Sequence, residues 1–167
     1  MNVLKYILTR SLPKTGQSYV YSAGDDGTYQ AGWWRNRSVL TNKTRFKDNG
    51  NGTISDKSTG LMWQKIASSE QIIWSDSIIT AEALTLAGYT DWRLPNVLEL
   101  LSIVDWTQYD PCINHTFFPY TLSDIYWSST TSVSNDVEVH AFDFGSSTLV
   151  KSVKNTLLFF RAVRTER

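Results

Sequence analysis

One segment near the end of the chain constrains the fold more than any other. Thr156–Arg164, with the sequence TLLFFRAVR, is almost continuously apolar, and only Arg161 and Arg164 interrupt it towards its end. Successive side chains of a strand point to opposite faces, so an apolar run of this kind is covered on both sides. The segment therefore predicts a central strand inside a layered core.

A first helix is predicted upstream, from about Trp74 to Ala87. Within it, Ile78, Ala81 and Leu84 repeat every three residues and fall on one face. Gly88 stands where a left-handed C-terminal cap belongs. We therefore expect the helix to pack through this face and to end at the glycine.

A second helix is predicted for NVLELLSIV, residues 96–104. Asn96 can cap its start, and Glu99, three residues later, is the reciprocal partner in a capping box. Pro95 keeps Leu94 extended, which sharpens the boundary.

Short strands are predicted on both sides of these helices. Two Asn-Gly pairs at 49–52 predict a hairpin, and TGLMWQK (59–65) after it predicts a buried strand. IYWSST (125–130) is rich in β-formers, and VEVHAFDFG (137–145) alternates so that Phe142 and Phe144 lie opposite Asp143. A turn is expected at 145–147. Two helices and several strands, separated by long loops, indicate the α+β class.

The charge balance excludes several kinds of partner. Sixteen basic and sixteen acidic residues leave the 167-residue chain with no net charge, so no overall charge drives it towards nucleic acid or acidic membranes, and binding to any polyanion would need a local cluster of cations. No stretch approaches the length of a membrane span, and MNVLKYILTR lacks the features of a cleavable signal peptide. We expect residues 1–44 to form an N-terminal arm or connector, with a role in assembly as one alternative, and residues 45–167 to form one domain.

The reactive residues give little support for catalysis. Cys112 is the only cysteine, which excludes an internal disulfide and a two-thiol metal site. His115 and His140 have no evident nucleophile partner, and a Cys112–His115 pair is the residual alternative. We therefore predict no enzymatic activity and no catalytic residue.

Four ordered segments carry a family resemblance. They are FKDNGNGTISDKSTGLMWQK (46–65), LTLAGYTDWRLPNVLELLSIVD (84–105), YWSST (126–130) and FFRAVR (159–164). Together they closely resemble the Legionella collagen-like protein C-terminal domain family, and LPKTGQ and DDGTYQAG extend the resemblance back to Leu12. The resemblance implies a C-type-lectin-like α+β fold, with two helices and a twisted, mainly antiparallel sheet with long loops. It also implies bacterial or phage provenance and display outside the cell; the named member is an adhesin that binds sulfated glycosaminoglycans.

The chain departs from the family pattern at two points. Many members carry cysteines where this chain has Ala81 and Ala162, which suggests a bonded pair replaced by two packed methyl groups. The chain also has no Gly-X-Y stalk. Trimerisation through a collagen helix therefore does not carry over, although a homotrimer stays an open alternative.

Residues of the shared motifs are interpreted as scaffold. An arginine in DWRLP that forks onto a carboxylate or a backbone carbonyl would fix that loop against the core. The scaffold residues are Trp63, Asp91, Trp92, Arg93, Pro95, Trp127, Arg161 and Arg164.

Candidate ligand residues lie outside those motifs. The cations suited to sulfate or phosphate groups are Arg35, Arg37, Lys43, Arg45, Lys47, Lys151 and Lys154. The loop aromatics suited to stacking on sugar rings are Trp106 and Tyr109. Four oxygen-bearing side chains suggest Ca²⁺ as the one cofactor to consider, although turn geometry is the favoured explanation for them: Asp48, Asn49, Asn51 and Asp56.

These observations predict a non-enzymatic, surface-displayed recognition or adhesion module. Its expected partner is a glycan or sulfated polysaccharide on a host or cell surface, and its expected location is extracellular or at the cell surface. The alternative is a receptor-binding or structural assembly protein of a phage tail or fibre, carried on the virion.

Overall fold

The computed structural model describes residues 19–29 and 45–166. The helices in these ranges are α1 (Asp26–Tyr29), α2 (Trp74–Glu82) and α3 (Val97–Ser102). The strands are β1 (Phe46–Asp48), β2 (Thr53–Asp56), β3 (Leu61–Gln64), β4 (Ile125–Ser132), β5 (Asn135–Asp143), β6 (Thr148–Val153) and β7 (Val163–Thr165).

The strands divide between two antiparallel sheets. One sheet has the order β1-β2-β3-β7 and the other the order β4-β5-β6. The α+β class predicted from the sequence is confirmed, but the strands form two sheets rather than one. No helix in the described part of the chain is both long and apolar enough to span a bilayer.

The predicted hairpin is the link between β1 and β2. Its loop spans residues 49–52, and the Asn49 N–H donates to the Thr53 carbonyl at 3.1 Å. Gly52 has a φ of +87°, and a Cβ at this position would lie 3.2 Å from the Leu86 side chain. This turn therefore favours glycine for its backbone conformation, and a larger residue would also press on the Leu86 side chain.

Helix α3 begins with the capping box that its sequence predicts. The Asn96 side chain accepts from the Glu99 N–H, and the Glu99 carboxylate accepts from the Asn96 N–H, each at 2.9 Å. The helix ends at Ser102, two residues before the predicted end at residue 104.

Helix α2 is shorter than predicted because a separate turn follows it. The helix ends at Glu82, and Ala81 on its inner face is fully buried. Leu86 and Tyr89 exchange two backbone hydrogen bonds of 3.2 and 3.0 Å, while Ala87 and Gly88 both have positive φ. This is the geometry of a two-residue type I′ turn. The prediction that Gly88 caps the helix is therefore wrong.

The apolar segment at 156–164 is buried from Leu158 to Arg164, whereas Leu157 is 57% exposed, and the segment is not one central strand. Only its end joins β7, which pairs with β3. Before that point, Leu158 forms an antiparallel bridge with Ile72 and Phe159 a parallel bridge with Tyr126. The segment changes partner every few residues, so it never keeps one register long enough to form a continuous strand.

Two buried clusters lie on opposite faces of β5. Val139 and Ala141 belong to a cluster that includes Ala81 of α2. Phe142 belongs to a second cluster that includes Leu100 of α3. The inner part of β5 is therefore covered on both faces, as the two-residue alternation of side chains requires.

Candidate recognition surface

The DWRLP motif is tied to α3 through Arg93. The Arg93 guanidinium forks onto the Glu99 carboxylate with contacts of 2.7 and 2.6 Å. Burial opposes ionisation of Glu99, but the bonds from Arg93 and from the Asn96 backbone outweigh it and lower the pKa of the carboxyl. The same carboxylate thus caps the helix and anchors the loop that enters it.

The motif is also joined to the last strand. Arg93 and Val163 exchange two backbone hydrogen bonds of 2.9 Å each. Arg164 donates to both Asp91 oxygens, at 2.6 and 3.1 Å, and its guanidinium carbon lies 3.8 Å from the centroid of the Tyr89 ring. DWRLP and FFRAVR therefore form one connected unit.

Arg161 is a cation buried against neutral oxygens. It donates to the carbonyls of Gln64 and Lys65 at 2.7 and 2.5 Å, and to the Thr121 hydroxyl at 2.8 Å. Burial lowers the pKa of the guanidinium to about 10, and the neighbouring Tyr126 works in the opposite direction. The side chain remains charged at neutral pH and holds the loop around Thr121 to the end of β3.

The three motif tryptophans lie in the interior, as their assignment to the scaffold requires. Trp63, Trp92 and Trp127 are at most 2% exposed. The Trp127 ring N–H donates to the Ile72 carbonyl at 2.9 Å, and that of Trp92 to the Leu86 carbonyl at 3.3 Å. Pro95 is buried, and its carbonyl accepts from the Ser129 N–H of β4 at 2.7 Å.

Arg45, expected among the ligand-binding cations, lies instead in the interior. It is 5% exposed, and Asp56 is fully buried. The guanidinium donates to the two Asp56 oxygens at 2.9 and 2.6 Å and to the Ser102 carbonyl at 2.6 Å. The expectation that Arg45 meets a ligand is therefore corrected: it joins the start of β1 to the C-terminal end of α3. Arg35, Arg37 and Lys43 lie outside the described residues.

Two of the four candidate calcium ligands, Asp48 and Asp56, pair with cationic side chains. The Asp56 carboxylate accepts from Arg45, from the Ser58 N–H and from the Thr59 hydroxyl. A cation bound at Asp56 would therefore have to displace the Arg45 guanidinium. Asp48 instead pairs with Lys65 at 2.6 Å, and this bond lowers the pKa of its carboxyl.

The two asparagines bond within the hairpin. The Asn49 amide donates to the hydroxyls of Thr53 and Ser55, and the Asn51 carbonyl accepts from Thr53. Among the described residues, no three His, Cys, Asp or Glu side chains form a metal-binding group. The hydrogen bonds of these residues fit the alternative in which they shape the turn, and calcium binding by this loop stays a prediction.

The remaining lysine candidates are on different parts of the molecule. Lys47 is exposed on β1 of the four-stranded sheet. Lys154 follows β6, and its ammonium lies 4.4 Å from the centroid of the Trp74 ring of α2. Lys151 is exposed within β6 and donates to the Ser134 hydroxyl at 2.9 Å. Trp74 packs in the same cluster as Val150, which points to the opposite face of β6 from Lys151, so the two lysines lie on opposite sides of this sheet.

Trp106 and Lys151 lie on the same side of the three-stranded sheet. The Trp106 ring meets Phe142 edge-on, with centroids 6.5 Å apart, and Phe142 pairs in register with Leu149. Leu149 and Lys151 share one face of β6, and Lys151 pairs with His140. We call these four exposed or half-buried residues, Trp106, Leu149, His140 and Lys151, the Trp106–Lys151 surface.

Sequence reasoning identified only part of this surface. Trp106 and Leu149 are each 51% exposed, and Tyr109, in the same loop as Trp106, is 83% exposed. Leu149 was not among the predicted ligand residues, although the alternation of Leu149, Lys151 and Val153 places all three on one face of β6. What the sequence does not indicate is that the Trp106 loop lies against that sheet.

The buried motifs and the bonds that connect them lie in a segment that matches a known protein family. A family model for the Lcl C-terminal domain matches residues 52–164. The chain belongs to this family. A search of curated proteins found no match.

The matched region of the Lcl C-terminal domain begins inside the β1–β2 loop. The sequence motifs suggested a resemblance from Leu12 onwards, whereas the family model matches the chain only from Gly52. Arg45 precedes the matched region, yet it is bonded to Asp56 and Ser102 within it. The folded unit of this family member thus includes at least β1 and the residue before it.

Ala81 and Ala162 occupy the two family positions where the resemblance implies cysteines. Both are fully buried and belong to the same cluster. Their methyl groups are therefore part of one core, and the replacement of a bonded pair stays a prediction.

Proposed function

We propose that this Lcl C-terminal domain is a non-enzymatic recognition module that binds anionic glycans, such as sulfated polysaccharides, on a host or cell surface. The proposal includes display outside the cell or on a virion. The observation that carries it is the Trp106–Lys151 surface, where a half-exposed indole, an aliphatic side chain and a lysine share one side of a sheet.

The chemistry of this surface suits a charged sugar. An exposed indole can stack on the apolar face of a pyranose ring. The Lys151 ammonium bonds to a neutral hydroxyl, so it can exchange that partner for a sulfate or carboxylate and form a charge-assisted hydrogen bond. The imidazole of His140, its cross-strand partner, supplies a further polar group.

The state of Cys112 supports a role in binding rather than in catalysis. The side chain is fully buried, and burial raises the pKa of its thiol. A nucleophilic cysteine needs an accessible thiolate. His115, the partner considered from the sequence, is exposed.

Binding to heparin and to other sulfated oligosaccharides at physiological salt tests the proposal. Lys151→Glu is expected to weaken binding at least about tenfold, since a hydrogen bond to a charged group is worth about 1.5–3 kcal/mol. Trp106→Ala is expected to weaken it as well. Glu138→Gln should strengthen it, because Glu138 lies on the same face of β5 as His140.

Lys57→Glu is the matched control, because Lys57 is also exposed but lies just after β2 of the other sheet. It makes the same change of charge and should leave affinity unaltered. Equal losses in the two lysine variants would indicate simple ion exchange and refute the assigned surface. Failure of every anionic glycan to bind would refute the proposed function.

A further inference from the structure

A second exposed surface is formed by two loops that Arg161 holds together. One loop follows β3 and the other precedes β4. Arg161 bonds the first through the Lys65 carbonyl and the second through the Thr121 hydroxyl. The loops are joined again where the Gln71 amide donates to Asp124 at 3.0 Å.

Three apolar side chains project from these loops although the backbone below them is fixed. Tyr120 is 80% exposed, and Ile66 and Leu122 are each 52% exposed. They flank the two positions that Arg161 holds, Lys65 and Thr121. We call Ile66, Tyr120 and Leu122, with Gln71 and Asp124, the Tyr120 surface.

Tyr120 is held in an unfavourable backbone conformation. Its φ is +59°, a region that residues with a bulky side chain rarely adopt. The neighbouring residues hold it there: the Thr121 hydroxyl donates to the Phe118 carbonyl at 2.8 Å, and the Leu122 N–H donates to the Tyr126 hydroxyl at 2.9 Å. Strained backbone conformations of this kind, held in place by the surrounding structure, cluster at functional sites. Here the strained residue exposes an aromatic ring to solvent.

The charges around the Tyr120 surface are acidic. Asp124 is part of it, and the exposed Glu70 precedes Gln71. Lys65, the lysine adjacent to Ile66, is paired with Asp48 at 2.6 Å. Arg161 lies beneath these loops but is buried and bonded to their oxygens. The charges that a sulfated or carboxylated polymer would meet at the solvent side are therefore like its own, in contrast to the Trp106–Lys151 surface.

We propose that the Tyr120 surface is a second binding site, which takes a neutral sugar. The Tyr120 ring would stack on the C–H face of the sugar, and Ile66 and Leu122 would flank it. The Gln71 amide and the Asp124 carboxylate would bond its hydroxyls. An uncharged ring with one apolar face and a polar rim matches both the aromatic platform and the acidic border.

An array of uncharged hexose and N-acetylhexosamine oligosaccharides, followed by calorimetry on the strongest hits, tests this site. Tyr120→Asn removes the ring and tolerates positive φ, so the loop is kept. We expect this change to weaken binding about fivefold to tenfold. Leu122→Ser should weaken it less and serves as a second variant that leaves Tyr120 in place.

Tyr21→Asn is the matched control, because Tyr21 is also 80% exposed but lies in the N-terminal described segment. Neutral-sugar binding should be unchanged in this control, in Lys151→Glu, and between low and high salt. The site is refuted if no uncharged oligosaccharide binds, if Tyr120→Asn binds as tightly as the wild type, or if this surface binds only a protein. Sulfated-glycan binding by Lys151→Glu is measured in a separate assay, so either proposal can be refuted without the other.

Discussion

Replacing Asp56 with asparagine removes the charge that compensates a buried arginine. Arg45 and Asp56 are at most 5% exposed, and Asp56 accepts two bonds from Arg45 besides those from Ser58 and Thr59. Breaking a buried pair by removing one partner costs about 3–5 kcal/mol, because the other charge stays buried. The free energy of unfolding of a typical domain is about 5–15 kcal/mol, so Asp56→Asn should remove a large part of it.

Urea unfolding followed by tryptophan fluorescence measures this loss, with the slope against urea checked for constancy. Asp48→Asn in the same hairpin is the control. Its pair with Lys65 is partly exposed, at 37% and 28% of the two side chains, so the cost should be about 0–1 kcal/mol. A loss below about 1 kcal/mol for Asp56→Asn, or equal losses in the two variants, would refute the reasoning.

A double substitution distinguishes the effect of the buried charge pair on stability from the effect of the volume that its side chains fill. Arg45→Met together with Asp56→Leu removes both charges and keeps apolar volume, which in other buried pairs is neutral or stabilising. We expect the double variant to be more stable than Asp56→Asn alone. The reverse order would show that the hydrogen bond from Arg45 to the Ser102 carbonyl, rather than the charge balance, holds this corner of the domain.

Two further predictions concern titration and reactivity. Because the pKa of Glu99 is lowered in the folded state, its contribution to stability is complete above the unfolded value of about 4.3 and is lost as the pH falls through the folded value. Urea midpoints at pH 7 and pH 3 should therefore differ less in Glu99→Gln than in the wild type; an equal difference would contradict this assignment. Cys112 is fully buried, so a chromogenic disulfide reagent should label it far more slowly in buffer than in urea, and prompt labelling of the native protein would contradict its burial.

Local signals in the sequence predicted the elements whose geometry is set within a few residues. The capping box of Asn96 and Glu99 and the glycine-containing hairpin at 49–52 are of this kind, because their hydrogen bonds close within three or four positions. Gly88 shows the limit of such signals. A glycine after an apolar helical face serves equally as a cap or as part of a two-residue turn, and only the pairing of Leu86 with Tyr89 decides between them.

Tertiary contacts account for most of what the sequence did not show. Arg45 belongs to a run of basic residues, which favoured a solvent-exposed role, but its partners Asp56 and Ser102 are 11 and 57 positions away. The candidate surface has the same limit. Alternation along β6 predicts that Leu149 and Lys151 share a face, whereas the approach of Trp106 to that sheet depends on how a long loop packs.

The alternating contacts of residues 158–163 have a consequence for the order of folding. Leu158, Phe160 and Ala162 complete one cluster, and Phe159 and Val163 complete the other. Until this stretch has left the ribosome, both sets of apolar side chains lack part of their cover. The domain therefore completes its folding only after residue 163 has been synthesised, through contacts between residues far apart in the chain, and such contacts slow folding and prolong the exposure of aggregation-prone surface.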